Sequence, residues 1–264
     1  MSDQVSEGVL RGGLPYFAVG DGTPLVYLPG FNPSHANPPA FGRKMLVRTV
    51  RPFVRAGYRV YFVNRKPGMP MGSTMSDVAA DHARALHEHF REPVDVLGHS
   101  TGGSIALQLI VDHPEVVRRG VVASTAYALG PVGRPAQMEM ARRLANGRPG
   151  YHLLVPGMVR HPVPRALLTG LAWAVGVVTP KPKDPSDMLA MVTAEDGLDV
   201  YDRLPEVTTP TLVICGARDY FWTPEMFAET AARMPGGTLV MYPEAGHAVN
   251  VRAEFYRDVL AFLR

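Results

Sequence analysis

Apolar residues along this chain fall into two alternating kinds of run. Short blocks rich in β-branched and aromatic residues, bounded by glycine or proline, read as strands. They are "PLVYLPG" at 24–30, "YRVYFVN" at 58–64, "VDVLGH" at 94–99 and "RRGVVAS" at 118–124. Between them lie stretches whose apolar positions recur at helical spacing. These are residues 44–57, where Pro52 must open or kink the helix, residues 76–90, which Ser76 or Asp77 can cap, and residues 102–114. Strands alternating with helices predict an α/β fold: a doubly wound, mostly parallel sheet covered on both faces.

The alternation breaks at about Tyr127 and resumes after Val200. Between them no strand pattern stands out, and prolines and glycines separate short helical pieces. Two more strands, "TLVICG" at 211–216 and "GTLVMYP" at 237–243, then alternate with helices at 223–234 and 250–264. The simplest division is a core made of 1–126 and 201–264, with a helical lid, 127–200, inserted after the sixth strand.

The corner between the strand at 94–99 and its helix reads Gly98-His99-Ser100-Thr101-Gly102, with Gly103 adding room. A tight strand-to-helix turn presents its central side chain at the carboxyl end of the sheet, where open α/β sheets bind ligands. Residues two before and two after must be small, because the backbone folds closely around that side chain. The pattern G-x-S-x-G meets the requirement. The plain structural alternative is a glycine-rich turn with a helix-capping serine.

A serine hydroxyl is a weak nucleophile. It needs a base to take its proton and a carboxylate to hold that base. Asp219 follows the strand at 211–216 in "GARDYFWTP", and His247 follows the next strand in "PEAGHAVN". The order serine, acid, histidine is the one this architecture uses; Glu244 is the second candidate for the acid. His82, His87 and His89 share a helix whose surface face accounts for them, and His113 sits at a helix end. His99 is expected to point away from Ser100 and to order the turn. The negatively charged oxygen formed by attack on a carbonyl needs preorganised N–H donors. Thr101 N–H is one, and Phe31 N–H, after Gly30 in "LPGF", is the other.

Composition removes several other classes. The chain has 264 residues, 46% hydrophobic and 19% charged, with a formal net charge of +3. No basic run suggests nucleic acid. The single cysteine, Cys215, excludes an intrachain disulfide, and its apolar neighbours suit a buried small hydrophobe. Residues 1–13 lack the apolar stretch of a signal peptide. The longest greasy segment, 166–178, is shorter than the roughly 20 residues of a membrane span. A cytoplasmic protein without a transmembrane span is therefore expected; the oligomeric state is not legible.

These motifs resemble the α/β-hydrolase fold superfamily, from about Pro15 to Arg264. The likeness rests on the elbow at 98–103, Asp219, His247 after Gly246, and Gly30-Phe31. It implies a serine hydrolase with an inserted lid. One departure is Pro29-Gly30, where many members carry His-Gly. The leading expectation is a carboxylic-ester hydrolase working through an acyl-enzyme. Its partners are water and a small to medium, partly apolar substrate with an acyl or carbonyl group. No metal or organic cofactor is required. Alternatives on the same scaffold are a C–C bond hydrolase or related acyl-transfer enzyme and, from another class, a non-catalytic ligand receptor.

The expected substrate pocket includes His35, near the oxyanion loop, and Met138, Met158, Trp173 and Met188 of the lid. The alternative is that these residues pack lid helices onto the core. The lid is also basic. Arg134, Arg142, Arg143, Arg148, Arg160, Arg165, Lys181 and Lys183 face Glu139 alone before Asp184. Such an excess either draws anionic substrates or a membrane surface, or forms a solvated face.

Overall fold

The computed structural model describes residues 5–32, 34–178 and 185–264. Among the described residues eight strands form one sheet. They are β1 (Val5–Val9), β2 (Pro15–Val19), β3 (Thr23–Leu28), β4 (Tyr58–Val63), β5 (Val94–His99), β6 (Val117–Ala123), β7 (Thr211–Gly216) and β8 (Gly237–Tyr242). Their spatial order is β1-β2-β4-β3-β5-β6-β7-β8. β1 runs antiparallel to β2 and β2 to β4, while the other neighbours are parallel. The mostly parallel α/β sheet is thus present, with an N-terminal antiparallel hairpin that the sequence pattern did not announce. β1 carries no long apolar run and is half exposed along its length, so its alternation is faint.

Side-chain alternation explains why the central strands read as continuous apolar blocks. Tyr61 and Val63 of β4, Val96 of β5, and Val213 and Cys215 of β7 enter one core layer. Their neighbours Val60, Phe62, Leu97, Leu212 and Ile214 enter the other. A strand buried on both faces has no polar side to display. The buried Cys215 thiol is pushed up by desolvation, then by the nearby Asp219 charge, as expected of a packing residue.

The helices among the described residues are α1 (Ala40–Arg55), α2 (Met75–Phe90), α3 (Thr101–Asp112), α4 (Gly133–Ala145), α5 (Val155–Met158), α6 (Pro162–Val178), α7 (Ser186–Asp196), α8 (Pro224–Arg233) and α9 (Ala253–Leu263), and both layers of the sheet are covered. α2, α3 and α8 supply Leu86, Leu107 and Phe227 to one layer. α1 and α9 supply Phe53 and Phe255 to the other. Pro52 lies inside α1. The cap of α2 is Thr74 rather than Ser76 or Asp77. Its hydroxyl accepts from Asp77 N–H while Asp77 accepts from Thr74 N–H, a reciprocal capping box. His82 is a second correction: it is buried in the core side of α2. Its Nδ1–H donates to the Val78 carbonyl one turn back at 2.7 Å, which relieves that side of the ring of any need for water.

β3 lies between β4 and β5, so the chain leaves β3 to one side and later returns on the other. The loops after β3 and β5 therefore part company at the carboxyl edge and leave a crevice there. Helices α4–α7 all lie between β6 and β7 in the chain, and Gly133 and Gln137 of α4 and Met158 of α5 line the cavity at that crevice. Met140, Ala141 and Leu144 of α4 pack on Met188 and Val192 of α7 in a small separate core that Phe31 also touches.

Asp95, in the middle of the sheet, is fully buried and paired with Arg118 of β6 through two bonds of 2.9 and 2.5 Å. Removing the guanidinium leaves a buried carboxylate without a counter-charge. Arg118→Met is expected to cost about 3 kcal/mol, read as a lowered urea midpoint. The double variant with Asp95→Asn should recover much of it; an unchanged midpoint in Arg118→Met would refute this account.

Candidate active site

The last residue of β5 and the first of α3 flank Ser100, whose backbone takes φ 55° and ψ −125°. A side chain other than glycine is strained there, at about 1–3 kcal/mol, so the surroundings must hold the turn. Ser100 N–H donates to the Ala123 carbonyl at 2.9 Å. The Ser100 carbonyl accepts from Thr125 Oγ1 at 2.7 Å. The glycines supply the clearance: a Cβ at Gly98 would run into the Gly102 carbonyl, and one at Gly102 into the Leu28 carbonyl.

The turn aims Ser100 at His247. Ser100 Oγ lies 3.0 Å from His247 Nε2, and His247 Nδ1 lies 2.8 Å from Asp219 Oδ2. An ionised carboxylate only accepts hydrogen bonds, so Nδ1 carries the ring proton and Nε2 is free to accept from the hydroxyl. The other oxygen of Asp219 accepts Phe221 N–H at 2.9 Å, which fixes the carboxylate plane. Trp222 stacks on the His247 ring at 5.7 Å with 9° between planes, and Phe221 meets its edge at 4.7 Å. The imidazole is thus held by one stacked and one edge-on aromatic ring. Glu244, the other acid considered, is exposed and pairs with Arg218.

The loop carrying His247 is itself held by its main chain. The His247 carbonyl accepts from Ser124 Oγ at 2.7 Å and from His99 Nε2 at 3.3 Å. His99 therefore differs from expectation. It lines the same cavity as Ser100 and steadies the histidine loop across from it. Burial, and next the neighbouring His247, lower its pKa to about 3, so it stays neutral.

The cavity at Ser100 measures about 480 Å³, within the range of small-molecule sites. Phe17, Phe31, Phe62, Leu129, Tyr151, Leu154, Met158, Phe221 and Trp222 make it largely apolar, with Asn32, Asn64 and Gln137 as its polar points. Gly30 and Phe31 come from the loop after β3; a Cβ on Gly30 would sit 3.4 Å from Ser100 Cβ. Thr101 is the first residue of α3, where amides have no partner within the helix.

Of the expected pocket residues only Met158 lines this cavity. His35 instead pairs through Nδ1 with Asp187 of α7 at 2.7 Å, a buried carboxylate that also receives the amides of Gly68 and Met69 from the loop after β4. Met188 is fully buried between α4 and α7, and Met138 packs against the same cluster. Both are consumed in joining two helices. Trp173 stands 52% exposed on α6. Lys181 and Lys183 lie outside the described residues.

One residue of the site escaped the sequence entirely. Glu195 of α7 is fully buried and accepts from Thr101 Oγ1 at 3.0 Å, Ser104 Oγ at 2.8 Å and Gln137 Nε2 at 2.5 Å. It joins the first turn of α3 to α4 and the cavity wall. Nothing in "TAEDGL" marks it, since its neighbours Asp196 and Asp199 have the same local character.

The model of the Alpha/beta hydrolase family matches residues 25–259. A Serratia proteamaculans (strain 568) protein named "Putative carbamate hydrolase RutD" is 28% identical over 204 residues, covering 75% of this chain and 76% of its own. A Pseudomonas sp 2-hydroxy-6-oxononadienedioate/2-hydroxy-6-oxononatrienedioate hydrolase is 26% identical over 265 residues, covering 92% and 88%. Among solved structures, a thermophilic esterase from Thermogutta terrifontis superposes with a TM-score of 0.74. It is 20% identical and covers 99% of this chain and 98% of its own, a likeness of fold.

Two pH effects follow from the buried groups. Burial raises the Glu195 carboxyl against the opposing pull of its Ser104, Gln137 and Thr101 hydrogen bonds and of His247. The folded state then holds its proton more tightly than the unfolded one, and this group's contribution to stability falls as pH rises above the ordinary carboxylate range. Glu195→Gln should remove that slope from a pH series of denaturant midpoints. Glu195→Ala strands three donors and should cost about 1–3 kcal/mol. For His99 the sign reverses: the unfolded chain takes up a proton that the folded chain refuses, so stability falls as pH drops from about 6.5 towards about 3. His99→Gln keeps a donor but cannot charge, and should flatten that limb between pH 7 and pH 4. An acid limb identical to that of the unaltered protein would refute the assignment.

Proposed function

We propose a function from one premise: this chain belongs to the alpha/beta hydrolase family and is a hydrolase. The proposed reaction is hydrolysis of a carboxylic ester through an acyl-enzyme on Ser100. The observation that carries it is the unbroken row Ser100 Oγ to His247 Nε2 at 3.0 Å and His247 Nδ1 to Asp219 Oδ2 at 2.8 Å.

In this reading His247 takes the Ser100 proton as Oγ attacks the substrate carbonyl. Asp219 stays ionised and steadies the imidazolium. The amides of Thr101 and Phe31 receive the oxyanion; Gly30 packed beside Ser100 favours this pairing. His247 then gives the proton to the departing alcohol. The same base draws a proton from water, whose oxygen attacks the acyl carbonyl, releases the acid and restores Ser100.

The segment 127–200 is proposed as a lid. Leu129, Gly133, Gln137, Tyr151, Leu154 and Met158, all within it, line the cavity beside Ser100. Its apolar wall favours a substrate with a medium-sized apolar acyl or alcohol part. Glu195 is proposed as a positioning residue that keeps Thr101 and Gln137 in register with the lid.

A second reading, hydrolysis of a C–C bond in a vinylogous diketone, draws on the 26% identical relative whose name gives that class of substrate. The same serine and base serve it.

The test is labelling with a fluorophosphonate followed by rates on p-nitrophenyl esters and on a ring-cleavage dienoate. Ser100 should take the label, and Ser100→Ala should lose both label and turnover with the fold intact. Asp219→Asn should lower kcat by about 10⁴-fold. Faster Ser100-dependent turnover of the dienoate than of any ester would replace the ester reading by the C–C one. Tight ligand binding without labelling or turnover would make the protein a receptor.

A further inference from the structure

α6 is the feature that the catalytic reading leaves unexplained. Within this helix only Thr169, Ala172 and Gly176 are drawn in from solvent. The spacing of three and four puts them on one narrow stripe of small residues. Gly176 fits against Pro149, where a Cβ would come within 3.2 Å. The opposite side is apolar and open. Val163, Leu167, Leu171 and Val178 are 63%, 71%, 61% and 79% exposed, and Trp173, on the flank between this strip and the packed stripe, is 52% exposed. From Val163 to Val178 this strip runs about 22 Å along the axis. A continuous apolar patch of that kind calls for a cover.

The charges around it indicate which cover. From Met140 through Lys183 the sequence has no acidic residue. Arg165 stands in the first turn of α6 and Arg160, stacked over the Tyr220 ring, two residues before the helix; Arg148 is exposed next to Pro149, against which the carboxyl end packs. A second copy meeting this strip about a two-fold axis would bring the same basic segment against itself. A protein partner ordinarily forms hydrogen bonds across its interface, about one per 100–200 Å². Yet from Ala166 to Val178 the only polar side chains are Thr169, on the packed stripe, and the Trp173 indole. A bilayer surface asks for neither. It takes apolar side chains into the acyl boundary, an indole at the headgroups and basic side chains on anionic lipid.

We propose that α6 is a membrane-surface helix, which lies in the headgroup layer of an anionic bilayer with Val163, Leu167, Leu171 and Val178 turned inward. Among the described residues no helix is long and apolar enough to cross a membrane, so the helix lies on the bilayer and does not span it. α5, just before α6, carries Met158 on the wall of the Ser100 cavity. Docking would bring that wall to the lipid, where partly apolar molecules dissolve. The inference stands independently of the Ser100 chemistry.

The test is flotation of the full chain with phosphatidylcholine vesicles, with and without phosphatidylglycerol, at low and high salt. The chain should float with the phosphatidylglycerol vesicles, less so in high salt, and Trp173 emission should shift to the blue. The double variant Leu167→Glu, Leu171→Glu should stay unbound with an unchanged far-UV circular dichroism spectrum and melting temperature. Arg148→Gln and Arg165→Gln should each weaken binding about fivefold. Failure of the unaltered chain to float with either vesicle overturns the proposal. So does a dimer in free solution that Leu167→Glu splits while no vesicle is bound, which would give the strip to a second copy.

Discussion

The close approach of Gly102 to the Leu28 carbonyl, and of Gly98 to the Gly102 carbonyl, governs where every group of the site stands. It lets α3 begin directly against the end of β3, so that the loop after β3 and the turn after β5 share one crevice. It also forces Ser100 into positive φ. That conformation survives because the Ser100 amide and carbonyl are both bonded to the strand and loop beside it, through Ala123 and Thr125. A hydroxyl held by a strained, doubly tethered turn has little freedom left to lose when it meets its base.

Around this corner the structure uses buried carboxylates as joints. Asp219 ties the end of β7 to the His247 loop. Glu195 ties α7 to α3 and α4. Asp187 ties α7 to His35 and to the loop after β4. Each receives several donors, as a buried carboxylate must if its burial is to be tolerated. Helices α4 and α7 are thereby fastened to α3, to the loops after β3 and β4 and to each other by polar joints and a small methionine-containing core, whereas α6 touches the rest through a stripe of small residues. The helical segment has a firm half and a lightly attached half, and the cavity wall draws on the firm half and on α5.

Much of the fold was legible because it follows from periodicity. β4, β5 and β7 are buried on both faces, so their apolar runs are unbroken and hard to mistake. β1 was missed because a short, half-exposed strand with a glycine leaves a weak pattern, and β2 because its apolar run, though buried over its last three residues, is only five residues long. The cap of α2 is Thr74, two or three residues before the expected Ser76 or Asp77, where the reciprocal bond between Thr74 and Asp77 satisfies two orphan donors at once. His82 was read as a surface residue because a helical period says which face a residue is on and cannot say what the fold lays over that face.

For the site the division is sharper. Local rules of close packing determined, from sequence alone, that Ser100 sits at a glycine-walled strand-to-helix corner, and chain order singled out Asp219 and His247 as companions. Tertiary structure decided everything that depends on residues far apart meeting. His35 turns to Asp187, Met138 and Met188 are spent in helix packing, and Trp173 faces outward. His99 supports the His247 carbonyl, and Glu195 stands beneath Thr101. A turn is written in neighbouring residues because backbone sterics act locally. The partner of a buried charge or the lining of a cavity is set by which surfaces remain once the helices have docked.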